Sequence, residues 1–173
     1  MLRRCHTAEL TAAELADVRA LLDVAFGDFT DHDWGHALGG LHAVVVEDGR
    51  VLAHGSLVMR RLLHQDRSLR CGYVEAVAVH PAARRRGLAS AVMASLEELA
   101  PAYDLLALSA SELGVPLYVA RGWSLWRGPS SVLTAQGVTP TPEDDGSLYV
   151  LPGESPLELD GPIACDWRDG DVW

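Results

Sequence analysis

Apolar positions along this chain fall into two periods. In "TAAELADVRALLDVAFGD", Leu15, Val18, Leu21, Leu22, Ala25 and Phe26 recur at three- and four-residue steps. Thr11 followed by Glu14 reads as a capping box, so the stretch predicts a helix. A shorter helix is predicted from Thr30 to about Leu38, stopped by Gly39 and Gly40. "LHAVVVEDGRVLAHGSLVMRRL" then gives two β-rich runs about Asp48-Gly49, a hairpin signal. "SLRCGYVEAVAVHP" predicts a third, long strand that Pro81 ends. "RRRGLASAVMASLEELA" returns to helical spacing, with Leu88, Val92, Leu96 and Leu99 as its stripe. "DLLALSA" reads as a short buried strand and "PLYVARGW" as a short helix closed by Gly122. Further strands are expected near "SSVLTA" and "SLYVLP". There are no repeats, and "TPTPEDDG" (139–146) is too short and too central for a linker. The order α-α-β-β-β-α-β-α-β-β predicts one mixed α/β or α+β domain over residues 1–173.

Composition narrows the chemistry. The 173 residues are 49% hydrophobic and 22% charged, ordinary for a globular chain long enough to bury a core. No apolar run suits a membrane helix, and "MLRRCHTAEL" lacks an apolar h-region, so a cytoplasmic protein is expected. Cys5, Cys71 and Cys165 are odd in number and distant, which argues against disulfides and a zinc site. "HDWGH" puts His32 and His36 a helical turn apart without the Glu of a metalloprotease helix, so no metal is expected. The net charge of −10 disfavours nucleic acid and favours cationic partners. All 14 basic residues are arginine. Without lysine there is no Schiff-base nucleophile and no P-loop.

One stretch does concentrate positive charge. In "YVEAVAVHPAARRRGLASAVM" a strand runs into Arg84, Arg85, Arg86 and Gly87, and that turn opens a helix. Free N–H groups and the positive end of the helix dipole make an anion site there. A basic helix start with no ligand is the competing reading; like charge at a helix N-terminus is unfavourable without an anion, which weighs against it. The last stretch, "ACDWRDGDVW", alternates acids with two tryptophans. It is either a solvated acidic end or the wall of a site for something cationic.

"VAVHPAARRRGLA" resembles the pyrophosphate signature of the GCN5-related N-acetyltransferases (GNAT), R/Q-x-x-G-x-G/A, through Arg84, Gly87 and Ala89. "LYVARGW" resembles the late helix of that superfamily. "GDFTDHDW", "CGYVEAVAV", "GPSSVL", "TPEDDG", "VLP" and "CDWRDGDVW" extend the likeness to the aminoglycoside 2′-N-acetyltransferases, from about His6 to Trp173. Gly114 and Pro116 depart from that family and predict a late start for the late helix.

The resemblance implies a GNAT-type domain with a mixed, mostly antiparallel central sheet flanked by helices, bulged in its fourth strand. It implies acetyl-CoA as acetyl donor, held by Val77, Ala78 and Val79 along the strand and by Arg84, Arg85, Arg86, Gly87, Leu88 and Ala89 at the pyrophosphate. Val77 would give its N–H to the thioester oxygen. Strand alternation sets Tyr73, Glu75, Val77 and Val79 on one face, and the family makes Glu75 the base, through a water. Tyr118 is the candidate acid, with a packed aromatic as the plainer alternative. Asp28, Asp33, Glu75, Ala76, Ser109, Asp144, Asp171 and the Trp173 carboxylate match positions that meet a polycationic aminoglycoside or similar polyamine. A homodimer is implied as well. Two alternatives remain open: acetylation of another cationic amine, or a non-catalytic module that binds acyl-CoA or drug.

Overall fold

The computed structural model describes residues 1–153 and 157–173. Its strands are β1 (Leu2–His6), β2 (Leu41–Glu47), β3 (Arg50–His64), β4 (Arg67–Val79), β5 (Leu105–Ser109), β6 (Ser124–Leu125), β7 (Ser130–Thr134), β8 (Gly137–Pro140), β9 (Leu148–Pro152) and β10 (Ile163–Asp166). Its helices are α1 (Ala12–Phe26), α2 (Asp31–Ala37), α3 (Leu88–Glu97) and α4 (Val115–Ala120). The class is α/β, as the element order predicts, with the mixed, mostly antiparallel strand pairing and flanking helices that the resemblance implies. The chain divides into two compact units, Met1–Val58 with Val74–Leu99, and Met59–Tyr73 with Ala100–Trp173; β3 and β4 run through both.

In the first unit β1 pairs antiparallel with β2, and β2 with β3 about the Asp48–Gly49 turn. Thr11 caps α1 in the expected box, accepting from the Glu14 N–H while Glu14 accepts from the Thr11 N–H. Val18 and Leu22 of α1 pack with Val44 and Ala78, and Phe29, Trp34 and Ala76 close around them. Each such buried aliphatic side chain contributes about 1.5–3 kcal/mol. Val92, Met93 and Leu96 bury the inner face of α3.

In the second unit β4 pairs parallel with β5, β5 antiparallel with β9, and β9 antiparallel with β6. β10 pairs antiparallel with β3, parallel with β7, and β7 antiparallel with β8. Leu105, Leu106, Leu108, Trp126, Leu148 and Val150 form its buried layer. The buried Arg60 fastens β10, with Nε 2.9 Å from Asp166 Oδ1 and Nη2 2.7 Å from the Asp166 carbonyl.

Two features differ from the sequence pattern. β1, β6, β8 and β10 are not among the expected strands: β1 buries only Cys5 and β8 buries nothing, so polar edges conceal those two, while β10 buries Ile163, Ala164 and Cys165 in a run of four residues. The third helix begins at Leu88, directly after the arginine- and glycine-rich turn, but ends at Glu97, before the expected Leu99. Arg85 and Gly87 hold φ of 60° and 77°, and such left-handed residues cannot belong to a right-handed helix.

Candidate active site

The first unit supplies a strand irregularity and an arginine turn. Ala76, in the middle of β4, has φ of 50°. Asp48, Gln65 and Asp66, also at positive φ, sit in hairpin turns where that conformation is common; Ala76 does not. A left-handed alanine costs roughly 1–2 kcal/mol, so its surroundings must enforce it. Its methyl packs against the cluster of Val18, Leu22, Val44 and Ala78. Its carbonyl oxygen lies 2.9 Å from Nδ1 of the fully buried His54. The left-handed step interrupts the two-residue alternation, so the face of Glu75 does not follow from counting across it. Glu75 is half-buried immediately before the step. Val77, after it, lies beside Gly55, Val92 and Leu96; Ala78 is buried and Val79 ends the strand.

After β4 comes a 3₁₀ turn, Pro81–Ala83, which Ala83 anchors in the interior. Gly87 caps α3 and brings no side chain, so the first turn lacks the oxygen that Thr11 and Thr30 give α1 and α2. The three arginines are not equivalent. Arg86 makes a two-pronged pair with Glu47, 3.0 Å at each oxygen, and holds that carboxyl below its ordinary range. Arg84 and Arg85 are exposed and form no ion pair among the described residues. Two unspent guanidiniums beside an uncapped helix start, with Leu88 and Ala89 half-buried in its first turn, suit a pyrophosphate.

Asp28 and Asp33 also belong to the first unit. Their neighbours Phe29 and Trp34 pack on the cluster that holds Ala76, which brings the α1–α2 turn to the bulge. Asp28 is exposed. Asp33 Oδ2 accepts the Thr30 N–H and hydroxyl, each at 2.8 Å, so that carboxylate also caps α2.

The second unit gathers the remaining residues. Ser109 donates to Ser147 Oγ at 3.1 Å, and Ser147 donates to the Asp144 carbonyl at 2.7 Å. Burial raises the Asp144 carboxyl above its ordinary range, with the charges of Glu143, Asp171 and Asp145 adding to it. An acidic cluster that repels itself favours cations. Trp173 is 5% exposed, and its Nε1–H donates to Thr141 Oγ1 at 3.0 Å. Arg168 Nη2 donates to the Trp173 carboxylate oxygen at 3.0 Å. The indole is thus interior and the terminal charge has a guanidinium beside it.

Gly114 and Pro116 do not displace the late helix. α4 starts at Val115, with Pro116 in its first turn and Gly122 closing it at φ of 85°. Gly114 has a space requirement, since a Cβ there would lie 2.8 Å from Tyr118 Cε2. The Tyr118 ring is buried, tilted against Trp123 at 6.1 Å, and burial pushes its hydroxyl up to about 12. It therefore stays a proton donor at every working pH. Among the described residues no group of three or more His, Cys, Asp or Glu side chains could hold a metal.

Sequence reasoning passed over His42 and His54. Their signal was a histidine inside each apolar arm of one hairpin, "LHAVVV" and "VLAHGSLV". The register sets His42 opposite Ser56 and His54 opposite Val44, which makes the histidines diagonal neighbours.

Three comparisons bear on this site. A family model described as an acetyltransferase (GNAT) domain matches residues 6–126. An aminoglycoside 2′-N-acetyltransferase of Mycolicibacterium fortuitum is 52% identical over 177 residues, covering 99% of this chain and 91% of the relative. A GNAT family acetyltransferase from Brucella melitensis, solved in complex with acetyl-CoA, shares the fold at TM-score 0.61 and 16% identity, with 98% and 97% of the two chains covered. Eis1 from Mycobacterium abscessus is similar at TM-score 0.62 and 16% identity over 76% of this chain, which spans 33% of that longer protein.

Proposed function

This chain belongs to the GNAT acetyltransferases, and from that premise we propose that it acetylates the 2′-amino group of aminoglycoside antibiotics. The observation that carries the reading is the likeness, at 52% identity over 99% of the chain, to a relative named for that reaction. Acetyl-CoA supplies the activated acyl group. The donor set fits it: Arg84 and Arg85 with the uncapped start of α3 would hold the pyrophosphate, and Val77 to Val79 the pantetheine arm. One domain over residues 1–173 would carry both substrates.

The chain's own groups then have distinct tasks. Glu75 would take the proton from the attacking ammonium through a water, because only the free amine has a lone pair to give. The N–H of Val77 would stabilise the oxyanion as the C–N bond forms. The Tyr118 hydroxyl would donate to the sulfur as the C–S bond breaks. Asp28, Asp33, Asp144, Asp171, Ser109, Ala76 and the Trp173 carboxylate would hold the drug's ammonium and hydroxyl groups. Acylating the 2′-amine removes a positive charge the drug needs, so resistance is the consequence in a cell. A cytoplasmic homodimer completes the reading; three buried cysteines outside any disulfide suit a reducing compartment.

The test is thiol release from acetyl-CoA with matched aminoglycosides bearing either an amine or a hydroxyl at the 2′ position. Turnover is expected only with the amine. Equal turnover with both would remove the regiochemistry, and turnover with other polyamines alone would move the substrate class.

A further inference from the structure

Two fully buried histidines stand behind the β4 bulge, and no step of the transfer uses them. His54 Nδ1 is 2.9 Å from the Ala76 carbonyl oxygen, and His42 Nδ1 is 2.9 Å from His54 Nε2. Thr7 Oγ1 is 2.7 Å from His42 Nε2 and accepts the Gly39 N–H at 2.9 Å. One distribution of protons satisfies the histidine contacts; the Gly40 carbonyl, 3.3 Å from Thr7 Oγ1, takes its donor from the Thr7 backbone N–H at 3.0 Å instead. A carbonyl only accepts, so His54 carries its proton on Nδ1 and leaves Nε2 a lone pair. His42 must then donate from Nδ1, and its Nε2 accepts from the Thr7 hydroxyl.

We propose that Thr7, His42 and His54 form a positioning device that holds Ala76 in its left-handed shape and thereby aims the Glu75 carboxylate and the Val77 N–H. The inference rests on the acetyl-transfer reading, in which those two groups act. A chain ending on a carbonyl has no proton to pass on, so it is not a proton wire; what it can do is fix that oxygen. The part-buried Ala76 carbonyl accepts a hydrogen bond from a fully buried side chain, and His54 is that donor. The rings span from β2 through β3 to β4, a rigid path from the Gly39 loop to the reacting strand. Burial keeps both imidazoles neutral, His42 at about 4 and His54 at about 3; besides each other, the charge acting on them is that of His6 on His42. The arrangement therefore persists at neutral pH.

Two variants separate positioning from mere packing. His54→Leu removes the donor, while His54→Asn keeps an amide N–H near the place of Nδ1. Each would be assayed at steady state with a 2′-amino aminoglycoside and varied acetyl-CoA, alongside its melting temperature. His54→Leu is expected to lower kcat about tenfold or more with the KM for acetyl-CoA within about twofold, and His54→Asn to recover to within about threefold of the parent. A parental kcat in His54→Leu, or equal losses in both, overturns the proposal. A second measurement needs neither a variant nor turnover: nitrogen NMR of the unaltered protein between pH 5 and 8. It should find His54 protonated on Nδ1 alone; an Nε2–H tautomer or an imidazolium in that range overturns the device. A protein that shows this tautomer yet acetylates no aminoglycoside would sink the function reading and leave the relay standing.

Discussion

The indole N–H of Trp173 donates to the Thr141 hydroxyl at 3.0 Å, so the chain's last side chain is interior structure rather than a frayed end. Thr141 also bonds Ser130 Oγ at 2.9 Å and heads the turn that carries Asp144. The C-terminal residue and an acidic turn are thereby tied together.

Removing Val172 and Trp173 should consequently do two things. Aminoglycoside affinity should fall at least tenfold while acetyl-CoA affinity holds, and the lost indole should cost about 3–5 kcal/mol of stability. Trp173→Phe keeps most of the packing and loses the hydrogen bond, about 1 kcal/mol. Calorimetric titration of each ligand, with a thermal melt, distinguishes the cases; parental drug affinity in the truncated protein would return the tail to a purely structural role.

Asp144→Asn should move stability and binding in opposite directions. Burial and neighbouring carboxylates raise its pKa, so its charge is unwelcome in the free protein. The variant should melt at the same temperature or higher and bind the drug more weakly. A lower melting temperature with unchanged affinity would contradict the cluster's assignment to the cation.

Gly114→Ala should act through Tyr118. The added methyl would meet the ring edge at 2.8 Å, and the backbone φ of −82° is unstrained, so the ring must give way. Turnover should drop toward that of Tyr118→Phe while the KM for either substrate changes little. If Gly114→Ala is silent and Tyr118→Phe is not, the ring accommodates the methyl without leaving its place.

Acid should weaken the first unit through its histidines. Both have folded pKa values below the ordinary 6.5, at about 4 and about 3. The unfolded chain therefore binds more protons below pH 6.5. Full stability is present above that value and declines by roughly 1.4 kcal/mol per pH unit per histidine as pH falls toward the folded values. Denaturant midpoints at pH 7.5 and 5 measure this, and His42→Gln should flatten the slope. Glu75→Gln addresses a separate pH effect: it should remove the acidic limb of the rate profile, where a general base is lost by protonation, without moving these midpoints.

Much of the fold was legible along the chain. The Thr11–Glu14 box, the Asp48–Gly49 turn, Pro81 after β4 and Gly122 after α4 each act within a few residues, where local geometry decides. β1 and β8 were hidden because an edge strand that buries one side chain or none has no apolar alternation to show. The arginine turn was legible as a charge cluster. That Arg86 answers Glu47, 39 residues away, was not, because the partner depends on where β2 ends.

The sequence by itself determined the class of fold, the arginine turn, the family likeness and the acids a cation would meet. Tertiary structure alone decided the shape at Ala76, the protons on His42 and His54, the second duty of Asp33 as a cap, the ring space at Gly114 and the burial of Trp173. The division has one physical cause. Periodicity, caps and turns are properties of neighbours along the chain. A left-handed alanine, a directed histidine pair and a buried terminal indole exist only where residues remote in sequence supply the donors and walls that make them favourable.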